Sequence, residues 1–588
     1  MFKVLTSGFW EAVARLILRN RIIILILIGL GTGLMISQWG KMRFTYTEAN
    51  LLPDRHPINL EYNTFLDVFG EEGNVIVLGV KDSTLLSVEK LNAWNTFCKS
   101  FQNNNNIEAI ITLQDLRKLT KNQKDKQFDF EPVINDSIRS NDELEQLKKT
   151  LFSDFPFYDE ILYNKDSKAI RSIVYLKKSI VNTSVRKDFI MKELIPKIEA
   201  FEKETALNVR ASGMPYVRTL NSQNIIDEIE IFILAAILIT SLIFYLFFRS
   251  YRATFISMCV VVIGVMWTFG ILGFLEYEIT VLTALIPPLI IVIGVPNCIF
   301  LINKYQHEVN KHGNKAKSLQ RVITKVGNAT LMTNTTTASG FATFVITQSK
   351  LLTEFGTVAS LSIMAIFILC LLIIPIIYSY MPMPKEKHLE HLNKRWINKL
   401  GDWIEHTVKH KNITIYSISL VLLVASIIGI YQIKTSGSLL EDMPKSAEFF
   451  KDIEFYEKEF NGVMPLEILI DTKRKKGVLK RSTLKRMDEL ENLILEIPEL
   501  SKPVSVVSLV KYAKQAYYNG NPKYYQLPTA QENAFILSYA KNTTNDVSLL
   551  KSYVDSTGQY ARITTFMKNA EIDKMERIEE KLNEKINK

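Results

Sequence analysis

Residues 231–248 read IFILAAILITSLIFYLFF, an apolar run with no charge in it, closed by Arg249-Ser-Tyr-Arg252. A helix needs about 17–25 such residues to cross the hydrocarbon core of a bilayer. Working outward from this run, similar blocks recur on both sides. They predict seven spans, at 21–38, 228–248, 253–275, 281–303, 327–348, 355–381 and 412–432. Between them lie a lead at 1–20, large polar stretches at 39–227 and 433–588, and a basic linker at 382–411. This is the layout of an integral membrane protein.

Over 588 residues, 47% are hydrophobic, and 71 Lys+Arg face 61 Asp+Glu for a formal charge of +10. The excess sits in the short loops. Arg15, Arg19 and Arg21 precede the first span, and Arg249 and Arg252 join the second to the third. Lys304, Lys311, Lys315, Lys317, Arg321 and Lys325 follow the fourth, opposed only by Glu308. Lys/Arg-rich short loops stay on the cytoplasmic side, and one alternating topology satisfies them all. It starts inside and leaves both large polar domains outside, as in a bacterial-type inner (plasma) membrane. The long charged lead Met1–Asn20 and the lack of a small-residue cleavage site make the first span an anchor rather than a removed signal.

Several functions are excluded. The domain 39–227 is balanced, with 26 Lys+Arg against 27 Asp+Glu, so it offers no basic face to a nucleic acid. Neither a P-loop nor a G-x-S-x-G elbow appears, so no catalytic residue is assigned and no enzyme is read. Of four cysteines only Cys98 lies in a polar region, and His388, His391, His406 and His410 show no ligand-like order. No metal or other cofactor is expected.

The plan of span then polar domain begins twice. Leu51-Leu52-Pro53-Asp54 is echoed by Leu439-Leu440-Glu441-Asp442, Phe69-Gly70 by Phe460-Asn461, and the strand-like Arg171–Lys177 by Arg562–Lys568. In the last two pairs, 460 minus 69 and 562 minus 171 both give 391. A constant offset with constant order is the mark of an internal repeat. The first polar domain reads as strands at 75–80, 107–112, 171–176 and 208–212, with helices at 87–101 and 185–205 and helical stretches up to 150. That order suggests a ferredoxin-like α/β unit. The second copy stops before its closing strand and before five further spans, so the expectation is a truncated tandem repeat. The missing spans, eight to twelve, would come from the rest of the protein, a partner or a homo-oligomer.

This layout resembles the resistance–nodulation–division (RND) superfamily, and most closely its Patched-like and mycobacterial-large-protein-like (MMPL) lipid transporters, whose five-span block is related to the sterol-sensing domain. Gly294-Val295-Pro296-Asn297 and Thr336-Thr337-Ala338-Ser339-Gly340-Phe341 carry the local likeness. The resemblance implies two porter domains that pass a hydrophobic small molecule, most simply a lipid, to or from the membrane. It also implies a proton-relay acid after Gly294-Val295, where this sequence has Pro296 and Asn297. Asn cannot titrate, so these spans cannot form the relay by themselves.

Three readings follow: a proton-coupled exporter whose acid lies in the second repeat, a transporter without proton coupling, and a lipid-sensing or scaffolding relative. A SecDF-like translocation accessory is a further alternative. Within the spans, Thr333, Thr336, Thr337 and Gly340 share one helical face, which is either ordinary helix packing or a polar face turned toward Asn297. Pro287, Pro288, Gly294 and Pro296 predict an interrupted fourth span.

Overall fold

The computed structural model describes residues 7–44, 53, 55–70, 73–134, 137–383, 395–433, 448–462, 464–542 and 552–586. The chain forms two compact units, Met1–Asn59 with Gln223–Ile433 and Leu60–Ser222 with Lys434–Lys588. Among the described residues, six helices are long and apolar enough to cross a membrane: Arg21–Lys41, Met214–Phe248, Tyr251–Phe274, Leu282–His312, Lys350–Tyr380 and Asn412–Gln432. The run expected as a fifth span, 327–348, lies on the helix Lys315–Ala342 and the 3-10 turn after it. Lys315, Lys317, Arg321 and Lys325 in its first half, and Asn and Thr in its second, set it apart from the six. The end of the polar stretch 39–227 is helical from Met214 onward, continuous with the second span.

Small residues let the helices of the first unit approach closely. A Cβ on Gly294 would sit 3.2 Å from Val261 Cγ2 and 3.3 Å from Ile366 Cγ1, and one on Gly327 only 2.5 Å from the Trp10 ring. The helices Ile286–His312 and Lys350–Tyr380 run parallel in steady register. Gly294 lies beside Ile366, Cys298 Sγ is 3.6 Å from Cys370 Sγ, and Tyr305 meets Tyr378 edge-on at 5.0 Å. Both cysteines are free thiols. The helix Asn412–Gln432, by contrast, buries none of its residues. A helix apolar on every side needs lipid or another protein around it.

In the second unit, Leu60–Ser222 builds a four-stranded antiparallel sheet. Its spatial order is Ile107–Ile111, Ile170–Leu176, Val75–Val80 and Arg210–Ser212. The strand Ile170–Leu176 is interior, and every residue in it except Tyr175 is buried. Apolar side chains fill the space between the sheet and its helices, with Phe97 of Val88–Lys99 stacked on Phe201 of Ile195–Thr205 at 4.4 Å. The closing strand turns into the helix Met214–Phe248 at Gly213, whose φ is +110° and whose missing Cβ would meet Val75 O at 2.2 Å. Only glycine fits there. Residues 117–132, expected to be helical, form instead a hairpin of Arg117–Asn122 with Gln127–Pro132.

The remainder of this unit pairs Met464–Asp471 with Tyr560–Met567, Ile468 opposite Ile563, under the helices Arg481–Leu495 and Ile572–Ile586. The hairpin ties the two parts together. Phe157 stacks on Tyr512 at 5.1 Å, and the Tyr512 hydroxyl accepts from Leu119 N–H and donates to Arg117 O. The helix Glu448–Phe460 lies against the edge strand Arg210–Ser212. There Arg210 bonds Asp452 at 3.0 Å, and the Tyr456 hydroxyl donates to Arg210 O at 2.8 Å.

Candidate functional site

The sequence draws attention to the fourth span, and the structure shows how its helix is made. Pro287 and Pro288 occupy the first positions of Ile286–His312, where a missing N–H costs nothing. A short helix, Val281–Ala284, precedes it, capped by Thr280 and Thr283, and only Leu285 separates the two. The discontinuity therefore lies at Leu285. At Gly294 and Pro296, where a kink or an unwound turn is expected, no turn unwinds, since the helix runs through both. Gly294 serves close packing against Val261 and Ile366. Neighbouring helices hold a membrane helix together through a proline that would kink it in isolation.

One turn beyond Gly294, Asn297 is buried at 5% exposure, facing Asn334 of Lys315–Ala342 at 2%. The two amides exchange hydrogen bonds. Asn297 Nδ2 donates to Asn334 Oδ1 at 3.0 Å, and Asn334 Nδ2 donates to Asn297 Oδ1 at 2.8 Å. The second hydrogens go to backbone carbonyls of the preceding turns, Ile293 O at 3.4 Å and Thr330 O at 2.7 Å. All four amide hydrogens are placed and each oxygen accepts one of them, so the two side chains satisfy each other's donors. No proton can be taken up or released by this arrangement.

Of the two alternatives for Thr333, Thr336, Thr337 and Gly340, the polar face turned toward Asn297 is not what the helix presents. The hydroxyls of Thr333, Thr336 and Thr337 turn back to the carbonyls of Ala329, Met332 and Thr333, and nothing lies within 4 Å of a Cβ placed on Gly340. The inward face carries Thr330, Asn334 and Ala338, all buried. Thr333 and Asn334 are sequence neighbours, so a rotation of about 100° separates the two faces. The clue available in the sequence was the i, i+4, i+8 spacing of Thr330, Asn334 and Ala338, since small and amide residues in that pattern suit a close helix contact.

A second junction joins the same two helices at their basic ends. Glu308, 2% exposed, gathers Arg321 at 3.2 Å, Lys304 at 3.4 Å, Lys325 at 3.5 Å and His312 at 3.6 Å. In the sequence Glu308 is merely the one acid in a basic loop. The fold makes it the shared counter-ion of residues from both helices. No group of three or more His, Cys, Asp or Glu side chains comes together among the described residues.

Residues 87–406 match the MMPL family, a span that takes in both these junctions and more than half of the chain. The chain belongs to the MMPL family. Two relatives add detail. A protein of Methanocaldococcus jannaschii, named as a membrane protein, is 27% identical over 207 residues, 35% of this chain and 52% of that protein. The apo-petrobactin exporter of Bacillus anthracis is 22% identical over 424 residues, 66% of this chain and 51% of the exporter. The chain spans about half the length of the relatives it matches. With its six apolar helices and MMPL membership, it is a membrane protein of that family.

Proposed function

We propose that this MMPL protein exports a lipid or another hydrophobic molecule, and that the contact of Ile286–His312 with Lys315–Ala342 is a fixed, non-titrating joint in it. The closed Asn297–Asn334 pair carries this reading. An intramembrane carboxylate could alternate between charged and neutral forms as the transporter cycles, whereas two mutually saturated amides hold their helices in one register. Proton coupling then comes from an acid outside these two helices, in a second repeat of the same plan. The outward direction follows the name of the Bacillus anthracis relative.

The repeat has support in the placement of elements. The helices Pro57–Phe69 and Glu448–Phe460 start and end 391 residues apart, 448 minus 57 and 460 minus 69. Hairpin turns organised by the side chains of Asn164 and Asp555 keep the same spacing, 555 minus 164. The antiparallel strand order of Leu60–Ser222 supports the ferredoxin-like reading of that part. We place the basic loops in the cytoplasm and both α/β parts outside, in a bacterial-type inner membrane, by the positive-inside rule.

A non-transporting, lipid-responsive protein is the second reading, favoured by the same sealed amide pair. Proteoliposomes holding a fluorescent lipid separate the two. Transport predicts protein-dependent movement of the label to an acceptor, absent from empty liposomes. No movement at any pH or gradient retires export and leaves the lipid-responsive reading.

A further inference from the structure

The lead helix Ser7–Arg19 is amphipathic and runs antiparallel to the start of Lys315–Ala342. Trp10 fills the slot over Gly327, and Ala14 and Ile17 are fully buried. Past Ala14 the two helices part to leave a groove of about 480 Å³, whose walls include Ala14, Arg15, Leu18, Arg19, Lys317 and Gln320. Three of these side chains are cationic, and among the described residues no carboxylate lines the groove. Arg15 has one acidic neighbour, Glu11 at 4.0 Å, and is 74% exposed. Arg19 and Lys317 have no ion-pair partner among the described residues.

A second trough of about 510 Å³ continues from the first, sharing Leu18 and Arg19, and passes Ile22, Ile23 and Tyr380. Arg21 at its side is already engaged, donating to Leu18 O at 2.7 Å and to Ser379 Oγ at 3.1 Å. Beyond Arg21 the first span begins, and its exposed Ile22, Ile23, Ile26, Leu27 and Leu30 form an uncovered apolar strip. The result is a cationic groove at the membrane rim that opens directly onto that strip.

We propose that this groove binds one anionic phospholipid. Its phosphate lies among Arg15, Arg19 and Lys317, and its acyl chains follow the apolar strip of the first span. Guanidinium forks suit phosphate oxygens. Each cation near a membrane surface strengthens such binding roughly fivefold. Free phosphate shares the headgroup chemistry but has nothing to place on Ile22 and Ile23. The site is independent of what the transporter carries.

The test is native mass spectrometry of the delipidated full chain with phosphatidylglycerol, phosphatidylcholine or inorganic phosphate added. One phosphatidylglycerol should be retained at least about tenfold more tightly than phosphatidylcholine. The triple variant Arg15→Gln, Arg19→Gln, Lys317→Gln should lose that preference, while Arg19→Lys with Lys317→Arg should keep it even if the triple variant folds poorly. Equal retention of phosphatidylglycerol by wild type and a folded triple variant, or no preference over phosphatidylcholine, overturns the proposal. So does inorganic phosphate binding as tightly as the lipid, which would make the groove a site for a soluble anion.

Discussion

The guanidinium of Arg171 lies 4.5 Å over the ring of Phe460. The contact has a mirror image, because Arg562 lies 5.4 Å over the ring of Phe69. These four residues are two of the pairs that keep the 391-residue spacing, and each arginine takes its aromatic partner from the other half of the chain. Helices Pro57–Phe69 and Glu448–Phe460 are thus exchanged between the two parts of the α/β unit. A cation over an aromatic face is worth about 0.5–2 kcal/mol, more when desolvated. Phe460→Leu should cost about 1–3 kcal/mol, since burial of the ring is lost as well. Phe69→Leu, at the longer distance, should cost less. Chemical unfolding followed by circular dichroism checks the ranking, and equal or reversed effects would contradict it.

The amide pair predicts a non-additive cycle. Asn297→Ala leaves Asn334 with an unpaired oxygen and hydrogen in a buried site, a cost of about 1–3 kcal/mol. Asn334→Ala does the same to Asn297. Once one amide is gone, removing the other relieves the orphaned group, so the double variant should be less destabilised than the sum. Thermal unfolding in detergent measures all three, and simple additivity would mean the amides do not act as a unit.

Glu308→Gln removes the shared counter-ion and leaves Lys304, Arg321 and Lys325 facing one another across two helices. Because the cations are partly exposed, the expected loss is about 1–3 kcal/mol rather than the larger penalty of a fully buried pair. Salt screens the remaining repulsion. Melting temperature against ionic strength should therefore rise more steeply for the variant than for the wild type.

Asp452 predicts a pH dependence in the α/β unit. Burial pushes its carboxyl up to about 6, against the partial counter-effect of Arg210. Burial likewise raises Glu491, which Lys511 and Ser505 only partly offset. A folded value above the ordinary aspartate value of 3.8 means the folded state favours the neutral acid. That contribution is complete below 3.8 and is lost as pH rises through about 6. The span between the two values corresponds to at most about 3 kcal/mol. Wild type should lose stability between pH 4 and roughly 7, and Asp452→Asn should flatten that slope. Unfolding midpoints across this range decide it, and an unchanged slope in the variant would show that Asp452 is not the group responsible.

The apolar runs were legible without a structure because transfer from water to hydrocarbon depends on composition over a helix length. The strands expected at 75–80 and 171–176, and found at Val75–Val80 and Ile170–Leu176, were legible for a related reason, being short β-branched and aromatic runs between turn residues. The hairpin Arg117–Asn122 with Gln127–Pro132 was not. Its polar, lysine-rich residues carry little local signal, and it is held largely by Phe157 and Tyr512 from elsewhere in the unit.

The amino-acid sequence alone determined that the chain lives in a membrane, that it follows a span-and-domain plan resembling the RND superfamily, and that position 297 holds an amide where a relay acid would stand. Only the tertiary structure decided what that amide does. The rotation of Lys315–Ala342 about its own axis brings Asn334 rather than Thr333 or Thr337 to Asn297. That rotation is set by close contacts such as Trp10, from the lead helix far away in the chain, against Gly327, and Phe341 O against Gly356 of the following helix. A helical wheel gives the angles between side chains, but the direction in which any one of them points depends on the neighbours it packs against.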